Sequence, residues 1–178
     1  MCPENEGIDH RHRDDLAGEH KFGDAGQLII AILFLAVWIL DSFFLKYTTF
    51  LNDYIPLAVQ ITLGVIFLAL AMYMARTGMK IVFGEVRKTP GVIRKGVFGV
   101  VRHPIYESEI LFYLGLLLLR TSLAALVIWI IAIGFLHYIS KYEEKLLVER
   151  FGDEYRQYMR DVPMYFPRFW RRRAKTSG

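Results

Sequence analysis

Apolar blocks about as long as a bilayer crossing constrain this chain more than any other feature. Gln27–Leu45, QLIIAILFLAVWILDSFFL, is the first, and Tyr54–Ala75 is the second. A further apolar stretch covers residues 107–140, interrupted by Arg120-Thr121-Ser122. About 20 apolar residues carry a helix through the roughly 30 Å hydrocarbon core. Backbone amides without partners are too costly there for open loops or sheet edges. The expectation is an all-α integral membrane protein, with lipid as the solvent for most of the fold.

How the last apolar stretch is laid out decides the topology. A single helix over 107–140 would be about 50 Å long at about 1.5 Å per residue and would overshoot the hydrocarbon. Glu107–Leu119 and Leu123–Ser140 are therefore read as a C-terminal helical hairpin with slightly embedded ends, turning at Arg120-Thr121-Ser122. That makes four transmembrane helices, at 27–45, 54–75, 107–119 and 123–140. Asp41 lies inside the first span near its end, where an ionisable group is either functional or at headgroup depth beside Lys46. Gln60, Thr62 and Gly64 give the second span polar and small faces suited to helix packing.

Charge orients the spans. The stretch Arg76–Arg102, read as one long connection, carries Arg76, Lys80, Arg87, Lys88, Arg94, Lys95 and Arg102 against the single acid Glu85. By the positive-inside rule it is cytoplasmic. The formal net charge of +4 thus reflects membrane-flanking cations that meet anionic headgroups, and nucleic acid is not an expected partner. The tail VPMYFPRFWRRRAK, with Arg171, Arg172 and Arg173, reads as an interfacial anchor. Both termini are expected in the cytoplasm, in a multi-pass protein of the inner (cytoplasmic) membrane.

The 178 residues suggest one domain: a polar tail, 1–25, and a membrane domain, 26–178. The single cysteine, Cys2, excludes an internal disulfide framework. No cleavable leader is expected, because the first 25 residues are polar and the apolar block that follows is too long for a signal peptide. His10, His12 and His20 match no closed tetrahedral site, so the tail is read as solvated and no metal is expected. Phe22 and Leu16 could let part of it lie on the membrane.

Chemistry concentrates where polar residues border the spans. Gly91–Tyr106, GVIRKGVFGVVRHPIY, is basic and glycine-punctuated, so its backbone can approach a ligand closely. It ends in Arg102-His103-Pro104-Ile105-Tyr106, just before the third span. Arginine can fork onto a carboxylate, histidine can donate to one, and a tyrosine ring can face a cation. Each alone could be no more than a helix start with a snorkelling cation. Past the fourth span comes Lys141-Tyr142-Glu143-Glu144-Lys145, and the helix is expected to continue through Met159. If the hairpin forms, the two clusters meet on one side of the membrane. The chain has no G-x-G-x-x-G after a strand, no Walker loop, no G-x-S-x-G and no H-E-x-x-H. A nucleotide-like cofactor would have to be held in a non-Rossmann way.

The segment GVFGVVRHPIY, the apolar hairpin and EEKLLVERFGDEYRQYMRDVPMYFP together resemble the isoprenylcysteine carboxyl methyltransferase family. They are also similar to the wider group of integral-membrane methyltransferases that includes phospholipid N-methyltransferases. The resemblance spans residues 89–168 and implies S-adenosylmethionine bound in a cytoplasmic pocket between segments 89–106 and 141–168. It places the cofactor on Pro90, Gly91, Val92, Ile93, Phe98, Arg102, His103, Pro104, Tyr106 and Glu143. Phe98 stands where the family often has tyrosine. Ile139 stands where the prenylcysteine enzymes carry a substrate-facing arginine. The acceptor would be lipophilic, either a phospholipid amine headgroup or a prenylcysteine carboxylate, entering sideways from the bilayer. An amine acceptor needs one deprotonation, for which Glu109 and Glu144 are the candidate bases; an acid at Glu107 or Glu109 could accept a proton from an amine or steer a cationic headgroup, or simply face water at the helix entry. Two other readings stay open. One is a nicotinamide or haem reductase or isomerase, with His103 and His137 available as ligands. The other is a non-catalytic membrane adaptor.

Overall fold

The computed structural model describes residues 23–83 and 91–167, and among these every regular element is helical. The N-terminal tail, Pro90 and the basic residues from Arg168 onward lie outside the described residues. Helix α1 is Gly23–Ile39 and runs on into a π-helical turn, Leu40–Leu45. After a 3₁₀ turn at Phe50–Asp53 comes α2, Leu57–Phe83. A second 3₁₀ turn, Gly96–Gly99, precedes α3, Pro104–Leu119. Arg120–Ser122 separate it from α4, Leu123–Phe151, and α5 is Asp153–Asp161.

Three of these helices are long and apolar enough to cross a membrane: Gly23–Leu45, Leu57–Phe83 and Leu123–Phe151. The fourth expected span, in α3, is a 16-residue helix, about 24 Å long at about 1.5 Å per residue. Leu28, Ile29, Phe44, Val65, Ile130 and Ile131 are exposed on α1, α2 and α4, as lipid-facing positions would be.

Helix α2 continues two turns beyond Ala75, so Arg76 and Lys80 are helical and the connection to α3 is shorter than expected. Packing explains the extension. Ala71, Met74, Gly78 and Ile81 are buried at helical spacing, while Arg76 and Lys80 stay exposed. Gly78 makes the approach to α3 close, since a Cβ there would sit 3.1 Å from Ile105 Cγ1. Deeper in the bundle α2 and α3 approach through glycine on both sides. A Cβ on Gly115 would meet Leu68 Cγ at 2.8 Å, and one on Gly64 would meet Leu119 Cγ at 2.4 Å.

A polar knot closes the end of the bundle opposite the Arg102–Glu144 cluster. Asp41 is buried. It accepts hydrogen bonds from the Thr48 N–H at 3.1 Å and from the hydroxyls of Thr48 and Ser122. Ser122 in turn caps α4 by accepting from Ala125 N at 3.2 Å. Asp41 therefore ties the end of α1 to the start of α4, which accounts for its place in an apolar span without a ligand. Trp38 and Arg120 reinforce the joint, with Trp38 Nε1 donating to Arg120 O at 2.9 Å and Arg120 Nε to Ser42 O at 3.0 Å.

At the other end the expected single long helix is two. Gly152 adopts φ 56° and ψ −127°, a conformation open to glycine, and breaks the run. Helix α5 then folds back so that Tyr155, Tyr158 and Val162 pack against Val92, Leu147, Val148 and Phe151. The segment after α5 is not wholly an interfacial anchor either. Its Pro163 and Met164 carbonyls accept from the backbone N–H groups of Arg102 and His103 at 2.9 and 3.3 Å.

Candidate functional site

Sequence places the site's parts at helix ends, and the fold brings those ends together. Pro104 occupies the first turn of α3, where its missing N–H is no loss, and His103 sits just before it. With only Arg120–Ser122 between α3 and α4, the start of one lies beside the C-terminal part of the other. Arg102 and His103 consequently meet Glu143 and Glu144, forty residues on.

Arg102 is the hub. Its Nε and Nη2 each lie 2.7 Å from Glu144 Oε1, and the two side chains are only 8% and 3% exposed. Its Nη1 donates to the carbonyls of Met159 at 2.8 Å and Val162 at 2.7 Å, so one guanidinium ties α3, α4 and the segment after α5. His103 lies between the two glutamates, with Nε2 3.4 Å from Glu144 Oε1 and Nδ1 3.7 Å from Glu143 Oε2. Burial pushes its pKa below the ordinary imidazole value, with Arg102 and Lys141 adding to the shift and Glu144 opposing it. The ring is therefore neutral at physiological pH. Tyr106 stacks on His103, with centroids 5.7 Å apart and planes at 12°, and its hydroxyl donates to Glu143. Glu143 keeps 16% of its side chain exposed against 3% for Glu144, so it is the more accessible carboxylate of the pair.

The upstream wall is set by tyrosines from α5. Tyr158 donates to the Phe98 carbonyl at 2.7 Å, and Arg94 lies over the Tyr158 ring at 5.6 Å while bonding the Glu154 carbonyl at 2.8 Å. Gly91, Val92 and Ile93 are irregular and half-buried, and Val92 belongs to the Tyr155–Tyr158 cluster. A Cβ on Gly91 would meet nothing within 4 Å, so the glycine there borders open space.

The sequence-nominated residues thus divide. Arg102, His103, Pro104, Tyr106, Glu143 and Glu144 form one cluster, and Phe98 and Gly91–Ile93 reach it through α5. Pro90 lies outside the described residues. Glu144 is engaged by Arg102, His103 and Lys141, an arrangement suited to holding the histidine rather than to moving a proton. Glu109 is turned the other way and accepts from Tyr113, which stacks at 4.3 Å on Phe34 of α1. His103 and His137 are both neighbours of Tyr165, at 6.2 and 6.1 Å between ring centroids. Among the described residues no group of three or more His, Cys, Asp or Glu is arranged to hold a metal.

Sequence reasoning missed Tyr165. Its hydroxyl is 2.7 Å from Ser140 Oγ, and its phenol is pushed up first by burial and further by the carboxylates of Glu144, Glu143 and Glu107. The signal was available in PMYFP, where two prolines bracket one tyrosine and restrict the backbone on either side of it.

Bilayer-length apolar helices with a buried arginine–histidine–carboxylate cluster at one end define an integral membrane protein with an enzyme-like polar site. Comparison with known proteins gives the family. The model of the phospholipid methyltransferase family matches residues 55–154, more than half of the chain, and the chain belongs to that family. The match runs from the start of α2 into α5 and includes His103, Glu143 and Glu144. Protein-S-isoprenylcysteine O-methyltransferase of Schizosaccharomyces pombe (strain 972 / ATCC 24843) is 31% identical over 136 residues, covering 69% of this chain. The chain spans 56% of that relative's length.

Proposed function

We propose that this protein is an S-adenosylmethionine-dependent methyltransferase that modifies a lipophilic acceptor at the cytoplasmic face of a membrane. One observation carries the reading: His103 and Tyr106 at the start of α3 share Glu143 with α4, and Arg102 pins Glu144 behind them. Family membership gives the reaction class.

The donor set fits the cofactor. S-adenosylmethionine carries a sulfonium and an ammonium, so a partly open carboxylate and aromatic faces suit it better than a cluster of cations would. Glu143 supplies the carboxylate, Tyr106 and Phe98 supply rings, and the open backbone at Gly91–Ile93 supplies polar groups for an adenine or ribose edge. When bound there, the cofactor supplies a methyl group made electrophilic by its positive sulfur. The chain positions the partners and excludes water, contributions that weigh most when charge is lost along the path. His103, kept neutral, adds no competing cation.

In this reading α3 is a fourth, short crossing with slightly embedded ends, and α3 with α4 is the hairpin whose mouth faces the cytoplasm. Arg76, Lys80, Arg94 and Lys95 lie on that side, as the positive-inside rule requires, and both termini are cytoplasmic. The acceptor reaches the site laterally from the bilayer.

Calorimetric titration of the purified full-length protein with S-adenosylmethionine tests this. Micromolar binding is expected, lost in His103→Ala and Glu143→Ala. Unchanged affinity in both variants would overturn the site. Incubation with labelled cofactor and a total membrane lipid extract, followed by mass spectrometry, is expected to show methyl transfer to a lipid-soluble product.

A further inference from the structure

A buried carboxylate without a partner stands one helical turn into α3 from His103. Glu107 is 5% exposed, and its Oε2 is fully enclosed with no hydrogen-bond partner among the described residues. An ionised carboxylate left so is among the most costly things a fold can bury, and such groups usually await a ligand or a proton. The neighbouring acids are not in this condition. Glu109 has Tyr113, Glu143 has Tyr106, and Glu144 has Arg102.

Its position follows from helix geometry. Residues four apart share a face, so Glu107 lies one turn into α3 from His103, on the stripe that continues through Leu111 and Gly115 along α2. On the antiparallel α4, the residues one turn deeper than Glu143 and Glu144 are Ile139 and Ser140, both buried. Tyr165 bridges this level: it bonds Ser140 and feels the Glu107 carboxylate. The level is therefore the bilayer side of the proposed cofactor cluster, where a lipid headgroup would arrive. The cations of the neighbouring cluster, Arg102 and Lys141, are already engaged by Glu144, and Ile139 offers none.

From this we propose that Glu107 is the acceptor-recognition residue, and that the acceptor it selects is the primary ammonium of an aminolipid headgroup rather than a carboxylate. The assignment rests on the methyltransferase reading above. The chemistry is self-consistent. A protonated amine cannot attack a methyl group until it has lost a proton. The ammonium N–H breaks, the proton passes to Glu107 Oε2, and the freed lone pair becomes the nucleophile. Nitrogen–carbon bond formation then accompanies carbon–sulfur cleavage. The products are a methylated ammonium and neutral S-adenosylhomocysteine, and the proton on Glu107 returns to water. A carboxylate acceptor releases no proton and would be repelled by Glu107.

The test uses the full-length protein in detergent, with three probes in the absence of cofactor: phosphatidylethanolamine, phosphatidylglycerol and N-acetyl-farnesylcysteine. Lipid binding is read by native mass spectrometry. Wild type is expected to favour phosphatidylethanolamine over both anionic probes. Glu107→Gln, which keeps the shape and removes the charge, is expected to weaken that lipid by about ten-fold or more and leave phosphatidylglycerol unchanged. In transfer assays the same variant is expected to lose kcat as well as raise KM, while S-adenosylmethionine binding stays at the wild-type level. Equal phosphatidylethanolamine binding by wild type and Glu107→Gln would overturn the assignment, and so would a wild-type preference for N-acetyl-farnesylcysteine. The wild-type ranking decides the matter if the variant fails to fold. Loss of cofactor binding in wild type would instead count against the methyltransferase reading, since the lipid ranking does not depend on it.

Discussion

Replacing Glu144 by glutamine should unfold the cluster from its centre. Both members of the Arg102–Glu144 pair are almost fully enclosed, and two guanidinium nitrogens sit 2.7 Å from one carboxylate oxygen. Breaking a buried pair by removing one partner costs about 3–5 kcal/mol, because the other charge stays desolvated. Glutamine keeps one carbonyl acceptor, which places Glu144→Gln near the lower end, about 3 kcal/mol. Arg102→Met should cost more. It strands Glu144 and also leaves the Met159 and Val162 carbonyls without their donor, each a further loss of about 1 kcal/mol or more. For a chain of this size about 3 kcal/mol corresponds to a fall in Tm of about 6–12 °C. The double variant Arg102→Met/Glu144→Gln removes both charges of the pair, so its loss should be smaller than the two single losses added together, by at least about 1 kcal/mol. Thermal unfolding in detergent, followed by circular dichroism, measures all three. Strict additivity, or a Glu144→Gln Tm within about 1 °C of wild type, would show that the pair does not hold the site together.

The glycine contact between α2 and α3 makes a steric prediction. Gly115→Ala places a Cβ 2.8 Å from Leu68 Cγ and 3.1 Å from Leu68 N, so a loss of about 1–3 kcal/mol is expected, whereas Gly134→Ala meets nothing within 4 Å and should be neutral or slightly stabilising in the same melt. His103 predicts a pH dependence. Burial first, then Arg102 and Lys141, hold its folded pKa below the unfolded value of 6.5 against the pull of Glu144. Near pH 6 the unfolded chain therefore binds more protons than the folded one, so the stability that His103 contributes is present above about pH 6.5 and lost as pH falls through the folded value. His103→Asn should flatten the Tm profile across that window, and an unchanged slope would mean that His103 is not buried neutral.

Much of this architecture is legible in the residues because the bilayer simplifies the problem. Apolar runs of crossing length locate the membrane-length helices Gly23–Leu45, Leu57–Phe83 and Leu123–Phe151, though not their ends, with no knowledge of their neighbours. Pro104 after His103 marks the start of α3, and Arg120-Thr121-Ser122 marks its end, so the meeting of His103 with Glu143 and Glu144 follows from chain reversal alone. Hydropathy misplaced the end of α2 because Arg76 and Lys80 look like loop cations. They are the exposed face of a helix whose buried face, Ala71, Met74, Gly78 and Ile81, depends on what α3 presents. Charge alone could not reveal which acid does what. Glu107, Glu109, Glu143 and Glu144 are one residue type and differ in what bonds them among the described residues: Glu107 Oε2 has no hydrogen-bond partner, while Glu109 has Tyr113, Glu143 has Tyr106 and Glu144 has Arg102.

That difference is what a lipid-modifying site needs. A group near the bilayer that must accept a proton or a cation has to be kept free of the arginines and lysines that membrane orientation gathers around it. Arg102 and Lys141, the cations of the cluster, are both drawn to Glu144. On the proposed reading Glu144 serves two ends: through Arg102 it joins the start of α3 to α4 and the end of α5, and it holds the cations of the cluster away from Glu107. Glu144→Gln should then affect acceptor selection as well as stability, since a released Arg102 side chain could reach for the remaining carboxylates. In a Glu144→Gln protein rescued by low temperature, weaker phosphatidylethanolamine binding with unchanged phosphatidylglycerol binding is the expected sign. Equal binding of both lipids at wild-type levels would show that the two carboxylates act independently.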